Sequence, residues 1–175
     1  HDYGDYHRWD SMREKQQNIK KLHQMHRYMG WNIMLNEYKI ITADGESIAL
    51  LGLENWGAGR FSKYGDMSKT YTGTEEIPYK ILMSHDPSHW DAQVLSEYPD
   101  IDLMLAGHTH GMQFGVEIGD FRWSPSQYVY KQWADLYQKG TQSLYVNRGF
   151  GFLGYPGRIG ILPEITVLTL KRSTS

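Results

Sequence analysis

Apolar positions recur at near-helical spacing along residues 11–29, where Met12, Ile19, Leu22, Met25 and Met29 alternate with charged and amide side chains and the run stops at Gly30. That period, with its glycine stop, predicts one amphipathic helix. His23 and His26 lie three apart on it, but no acidic or histidine partner completes a metal set nearby, so a solvated or partly packed face is expected. The pattern then changes to β-prone runs at 32–42 and 47–54 separated by Ala43-Asp44-Gly45-Glu46. An Asp-Gly pair between two such runs predicts a hairpin. Residues 55–73 mix glycine, lysine, tyrosine and serine without a period and read as a long surface connection, one that either covers a site or simply wanders.

Further along, a short apolar run at 79–84 precedes a helical pattern at 88–97 and a second apolar run at 101–106. Strand, loop, helix, strand, loop is the order of an α/β fold with a mixed sheet, in which the loops after the strands collect functional groups. A glycine-broken β segment follows from Gly111 to Gly119, then an aromatic-rich stretch at 121–137, and strands are expected at 142–147 and 164–171. No internal repeat, linker or low-complexity tract interrupts the chain, so residues 1–175 are expected to form one domain.

Composition narrows the chemistry. The chain has 175 residues, 40% of them apolar, and a formal net charge of -2, so no broad cationic field favours nucleic acid or an acidic membrane as partner. Cysteine is absent, which leaves nitrogen and oxygen as the donors for any metal. No apolar run approaches the roughly 18 residues of a membrane span. The chain opens on His1-Asp2-Tyr3-Gly4-Asp5-Tyr6 without a methionine and reads like a loop cut in the middle, a beginning that a processed or trimmed terminus would also give, so the chemistry downstream has to decide.

Candidate chemistry gathers after the two apolar runs. In Gly107-His108-Thr109-His110 the extended geometry of a strand end points both imidazoles to the same side, and the flanking glycines leave room for a ligand. His85 ends the other run, in Met83-Ser84-His85-Asp86-Pro87, and a further histidine stands in His1-Asp2. Such a set resembles nitrogen ligands for a divalent metal, set against the plainer reading of polar loop residues satisfied by hydrogen bonds. Asp2 and Asp86 each follow a histidine and either fix an imidazole or cap a loop. Asn147 and Arg148 end a strand before a glycine-rich loop, where Arg148 reaches a phosphate or makes an ordinary surface salt bridge. Trp123, Tyr128, Tyr130, Trp133 and Tyr137 offer an apolar substrate wall or a surface that docks on a membrane or partner, although irregular spacing makes packing the expectation for most of them.

The order of these motifs resembles the later motifs of the calcineurin-like metallophosphoesterases, whose sequences show Asp-x-His, Gly-Asp-x-x-Asp, Gly-Asn-His-Asp/Glu, a later histidine and Gly-His-x-His. His1-Asp2 matches the end of the third, His85 the fourth, and Gly107 to His110 the fifth. The likeness continues through Asn36, Gly52-Leu53-Glu54, Val146-Asn147-Arg148-Gly149, Arg158 and Pro163-Glu164-Ile165-Thr166. It implies an α/β mixed sheet equivalent to the C-terminal half of a four-layer α/β/β/α sandwich, without the first two motifs and the Gly-Asn before His1.

By the same resemblance His85 and His108 bind one metal, His110 binds another, and the remaining ligands, the bridging carboxylate among them, lie upstream. The reaction implied for the intact protein is in-line attack on phosphorus by a hydroxide between two cations roughly 3.5 to 4 Å apart. His1 would orient phosphate or protonate the leaving oxygen, held by Asp2. The cofactors implied are two divalent ions, Mn, Fe, Zn or Co, with none or one expected on the segment as it stands. Phosphorylated small molecules or lipid-linked phosphates are the implied substrates, the branch resembled is often membrane-attached or exported in bacteria, and an exposed sheet edge is expected to pair copies. The reading from a different class is a non-catalytic module with one structural metal or none and the aromatic stretch as interaction surface.

Overall fold

The computed structural model describes residues 3–171. His1 and Asp2 lie outside the described residues. Helix α1 spans Met12–Tyr28 and starts where the Ser11 hydroxyl accepts the Glu14 N–H, satisfying one of the donors every helix start leaves open. The hairpin is β1 (Glu37–Ala43) and β2 (Glu46–Gly52), and its turn is Asp44 and Gly45, both at positive φ (52° and 79°). That pair of left-handed residues makes the turn whose twist suits two antiparallel strands.

The connection after it is not uniformly irregular. Asp66 caps a short helix, α2 (Met67–Tyr71), that buries Met67 and Thr70. Strand β3 (Tyr79–Met83) leads into a helical segment built from a π-turn, Trp90–Val94, continued by α3 (Leu95–Glu97). Then come β4 (Leu103–Ala106), β5 (Val116–Ile118), β6 (Phe121–Trp123), β7 (Asp135–Lys139) and β8 (Gln142–Val146).

Six strands form one sheet in the order β1-β2-β3-β4-β8-β7, and β5 pairs with β6 in a separate two-stranded sheet. The inner strands β2, β3, β4 and β8 run parallel, while β1 and β7 pair antiparallel at the edges. This is the α/β architecture with a mixed sheet that the sequence predicts. Ala49, Leu51, Leu82, Met104, Leu144 and Val146 fill one face and pack on Trp90, Val94 and Ile101. On the opposite face Leu50, Ile81, Met83, Leu105 and Tyr145 are half-buried.

The last expected strand differs. Residues 164–171 alternate like a strand but join no ladder, and Ile165 and Val167 are 82% and 87% exposed. β propensity needs a paired edge before it becomes a strand, and this segment pairs with no strand among the described residues.

Candidate active site

The site begins with strand pairing. β3 and β4 run parallel, with Ile81 opposite Leu103 and Met83 opposite Leu105, so their C-terminal ends release His85 and Gly107 side by side. The Gly107 N–H donates to the His85 carbonyl at 3.0 Å. The rings of His85 and His108 then stand edge to face, centroids 5.2 Å apart and planes at 79°. Strand β8 adds Asn147 on the other side of β4, its N–H donating to the Ala106 carbonyl at 2.9 Å.

The Gly-His-Thr-His loop lacks the extended geometry expected of it, and its backbone is held where L-residues seldom go. His108 (φ 69°), His110 (51°), Gly111 (55°), Met112 (48°) and Gln113 (56°) all occupy the left-handed region. For the non-glycine residues this costs on the order of 1–3 kcal/mol each and persists when the surroundings over-determine it. Here they do. The Thr109 hydroxyl donates to the Trp133 carbonyl at 2.7 Å, the Ser124 hydroxyl to the Gly111 carbonyl at 2.7 Å, and the Tyr155 hydroxyl to the Gln113 carbonyl at 2.7 Å. The Gln113 side chain is itself buried and donates to the Tyr155 and Gly157 carbonyls.

His108 is enclosed. Its Nε2 lies 2.6 Å from the Tyr130 hydroxyl and 3.9 Å from Asp86 Oδ2, and the Phe61 ring meets it edge-on at 5.5 Å. Burial, with Asp86 nearby, pushes the Tyr130 phenol up to about 12, so it keeps its proton at neutral pH. Asp86 caps its loop and also lies near His108, beyond hydrogen-bond distance. Its Oδ1 accepts the Ser88 N–H and hydroxyl at 2.9 and 2.7 Å, while its Oδ2 faces His108. His110 lines a cavity of about 540 Å³ together with His108, Thr109, Tyr130, Arg60 and Phe61. The Arg158 guanidinium approaches its Nδ1 at 3.4 Å.

The structure therefore brings His85, Asp86, His108 and Tyr130 together and sets His110 in the same cavity as His108. Among the described residues no group of three or more histidine and carboxylate side chains is gathered closely enough to hold a metal ion. Asn147 reaches the site through its backbone only, and its side chain and Arg148 are engaged away from the histidines. Arg148 pairs with Glu164 at 2.8 Å, with Glu117, and with Asp135 at 3.6 Å, while Asn147 bonds Thr166 and the Gly149 N–H. Of the aromatic stretch, Tyr130 reaches the site, Trp133 is buried, and Tyr128 is 76% exposed.

Sequence reasoning missed Arg60 and Phe61, placed within an unpatterned connection, and the link from Tyr130 to His108. The glycines at 57 and 59 were the available signal for the first, because closely spaced glycines mark places where backbone passes near other groups.

Curated relatives now bear on this geometry. Over 144 residues the chain is 34% identical to the uncharacterized metallophosphoesterase YkuE of Bacillus subtilis, the match covering 81% of this chain and 47% of that protein. It is 36% identical over 132 residues to a Danio rerio transmembrane protein with metallophosphoesterase domain, covering 72% of this chain and 28% of that one. The chain belongs to the calcineurin-like metallophosphoesterase superfamily. Phosphodiesterase YaeI of Escherichia coli is a further relative, 29% identical over 144 residues, with 81% of this chain and 48% of YaeI covered. The chain thus spans about half the length of these two bacterial metallophosphoesterase relatives. No family model and no solved structure matches it. Among the described residues no helix is long and apolar enough to cross a membrane.

Proposed function

We propose that this chain carries the histidine-bearing part of a metal-dependent phosphoester hydrolase. The observation that carries the reading is the pair of imidazoles at 5.2 Å on the ends of adjacent parallel strands, in a chain of this superfamily. The donor set fits a divalent cation that accepts imidazole, since neutral ring nitrogens two to a site suit Zn, Mn, Fe or Co. His85 and His108 would hold one cation and His110 a second, with the other ligands supplied from outside the described residues. Bound there, the metals would neutralise phosphoryl charge and activate water.

The chain's own groups have separable tasks. Asp86 and Tyr130 fix the orientation of the His108 ring, as carboxylates and hydroxyls beside metal-binding imidazoles commonly do. Phe61 closes one side against water. By likeness to the family, His1 would orient the phosphate or give a proton to the leaving oxygen, and Asp2 would hold His1; both lie outside the described residues. The substrate class at this level is a phosphomonoester, a phosphodiester or a pyrophosphate.

The test is turnover of the protein expressed from its whole reading frame against a phosphoester panel with several divalent cations. His108→Ala should lower turnover by about 10- to 100-fold or more. His23→Ala should leave it nearly unchanged, because His23 contacts Tyr3 on the far helix and does not line the cavity. Equal losses from the two variants, or no turnover with any cation, would favour the non-catalytic module.

A further inference from the structure

Arg60 lines the histidine cavity and Arg158 approaches His110, while Arg148 does not line the cavity; Arg148 and Arg158 are already engaged. Arg148 sits among Glu164, Glu117 and Asp135. Arg158 donates to the Arg148 carbonyl at 2.8 Å and to the Gly151 carbonyl at 2.9 Å. Arg60 differs. It is exposed, lines the cavity beside Phe61 and His108, and its guanidinium carbon lies 5.8 Å from the Phe61 ring. It forms no ion pair with a carboxylate among the described residues.

Beside Thr109, Gln113 and Tyr130, much of the remaining lining is apolar. Met112, Val129 and Leu153 line it at 40%, 64% and 54% exposure, with the Tyr6 and Phe61 rings alongside. Apolar lining with a few polar groups is the usual make-up of a small-molecule site. Asp86, the carboxylate near His108, is buried behind that ring and does not line the cavity. An incoming ligand therefore meets two imidazoles, a guanidinium without a carboxylate partner among the described residues, and aliphatic surface. Its volume, about 540 Å³, lies in the range of small-molecule sites.

We propose that Arg60 is the anion-binding residue of this cavity and that the cavity selects phosphoesters bearing an apolar substituent. The phosphoryl oxygens lie toward Arg60 and the histidines, and the apolar group rests on Met112, Val129 and Leu153. A guanidinium matches two phosphoryl oxygens with paired N–H donors, which an ammonium does not. The inference deepens the hydrolase reading and rests on it for the identity of the anion.

Binding to the metal-free chain tests it without reference to turnover. Diphenyl phosphate, monomeric dihexanoyl phosphatidylglycerol and dimethyl phosphate carry the same charge and differ in their substituents. Calorimetry should give at least one of the first two an affinity about tenfold or more above dimethyl phosphate, as burial of several methylenes implies. The better of the two tells whether an aryl or an acyl group is the preferred source of apolar surface. Arg60→Gln should weaken that ligand by about tenfold, Arg60→Lys by less, and Leu153→Gln should erase the preference over dimethyl phosphate. Lys63→Gln is the control, since it removes the same charge from the same loop while Lys63 lies over Trp56, away from the cavity. Circular dichroism verifies that each variant is folded.

Equal affinity for all three phosphates overturns the selectivity, and equal losses from Arg60→Gln and Lys63→Gln overturn the role of Arg60. Absence of hydrolysis by the whole protein would instead sink the hydrolase reading and leave these binding results standing.

Discussion

Gly57 and Glu164 show how single positions hold the site and its surroundings. A Cβ built on Gly57 would fall 2.1 Å from Asp86 Oδ2, so an alanine there must displace the carboxylate that faces His108. Overpacking of this kind costs about 1–3 kcal/mol, and Gly57→Ala should lower the urea midpoint accordingly while shifting the ring resonances of His108. An unchanged His108 spectrum would mean that Asp86 does not set its environment. Glu164 gives a pH signature. Burial pushes its carboxyl up, but hydrogen bonds from Tyr145, Arg148 and Thr166 outweigh that and hold it at about 2, against an ordinary value of 4.5. A depressed carboxyl contributes stability that is present above the unfolded value and lost as pH falls toward the folded one. Stability should therefore decline between about pH 4.5 and 2. Glu164→Gln should be less stable at neutral pH and should flatten that decline, as urea midpoints measured across the window will report. The histidines were legible in the sequence because they sit in short local motifs after apolar runs. Tyr130 stood out there only as part of an aromatic wall, and its link to His108 was not legible, because it spans 22 residues through a tertiary contact that no local pattern encodes.

At the scale of elements, helix α1 separates propensity from packing. Its period and its serine cap predict the helix, and the structure has it, yet it contains no fully buried residue, and Met12 and Met25 are 70% and 61% exposed. Periodicity states which face is apolar and says nothing about what covers it. Ser11→Ala should cost about 1 kcal/mol of local helix stability. Because α1 adds little to the buried core, amide exchange should accelerate in residues 12–28 while the amides of β3, β4 and β8 keep their rates. A matching acceleration in the sheet would show that helix and sheet open as one unit. Leu82→Ala provides the opposite case. Leu82 is fully buried at the centre of the sheet's packed face, and its truncation should destabilise the whole chain by about 2–5 kcal/mol, whereas Met25→Ala should scarcely move the midpoint. The elements that escaped sequence reading are α2, too short at five residues to show a period, and the unpaired segment at 164–171. Its alternation is that of a strand, but the ladder that would make it one depends on an edge the local sequence does not contain.

The whole molecule joins these scales through the two faces of its sheet. Parallel strands normally lie between two covering layers, and here one face is packed by Trp90, Val94 and Ile101 while the other keeps Leu50, Ile81, Met83 and Leu105 half-buried. The histidines sit at the strand ends of this same sheet, and the donors they present number fewer than a metal pair requires. Two imidazoles from His85 and His108, with His110 across the cavity, bring no negative charge to offset two cations placed close together. Asp86 is committed to Ser88 through one oxygen, and its other oxygen lies 3.9 Å from His108 Nε2. We therefore expect the 175-residue chain to bind at most one divalent ion, weakly and with a preference for Zn or Ni, the ions that favour imidazole. Titration followed by calorimetry and elemental analysis should give a stoichiometry no greater than one, and His108→Ala should abolish it while His23→Ala leaves it intact. A metal-supplemented phosphodiesterase assay on the same chain should show no turnover. Two tightly held ions per chain, or hydrolysis matching that of the protein expressed from its whole reading frame, would mean that this chain supplies the bridging ligand itself. His1 and Asp2 would then be the first positions to substitute, since among the chain's candidate site residues they alone lie outside those the structure describes.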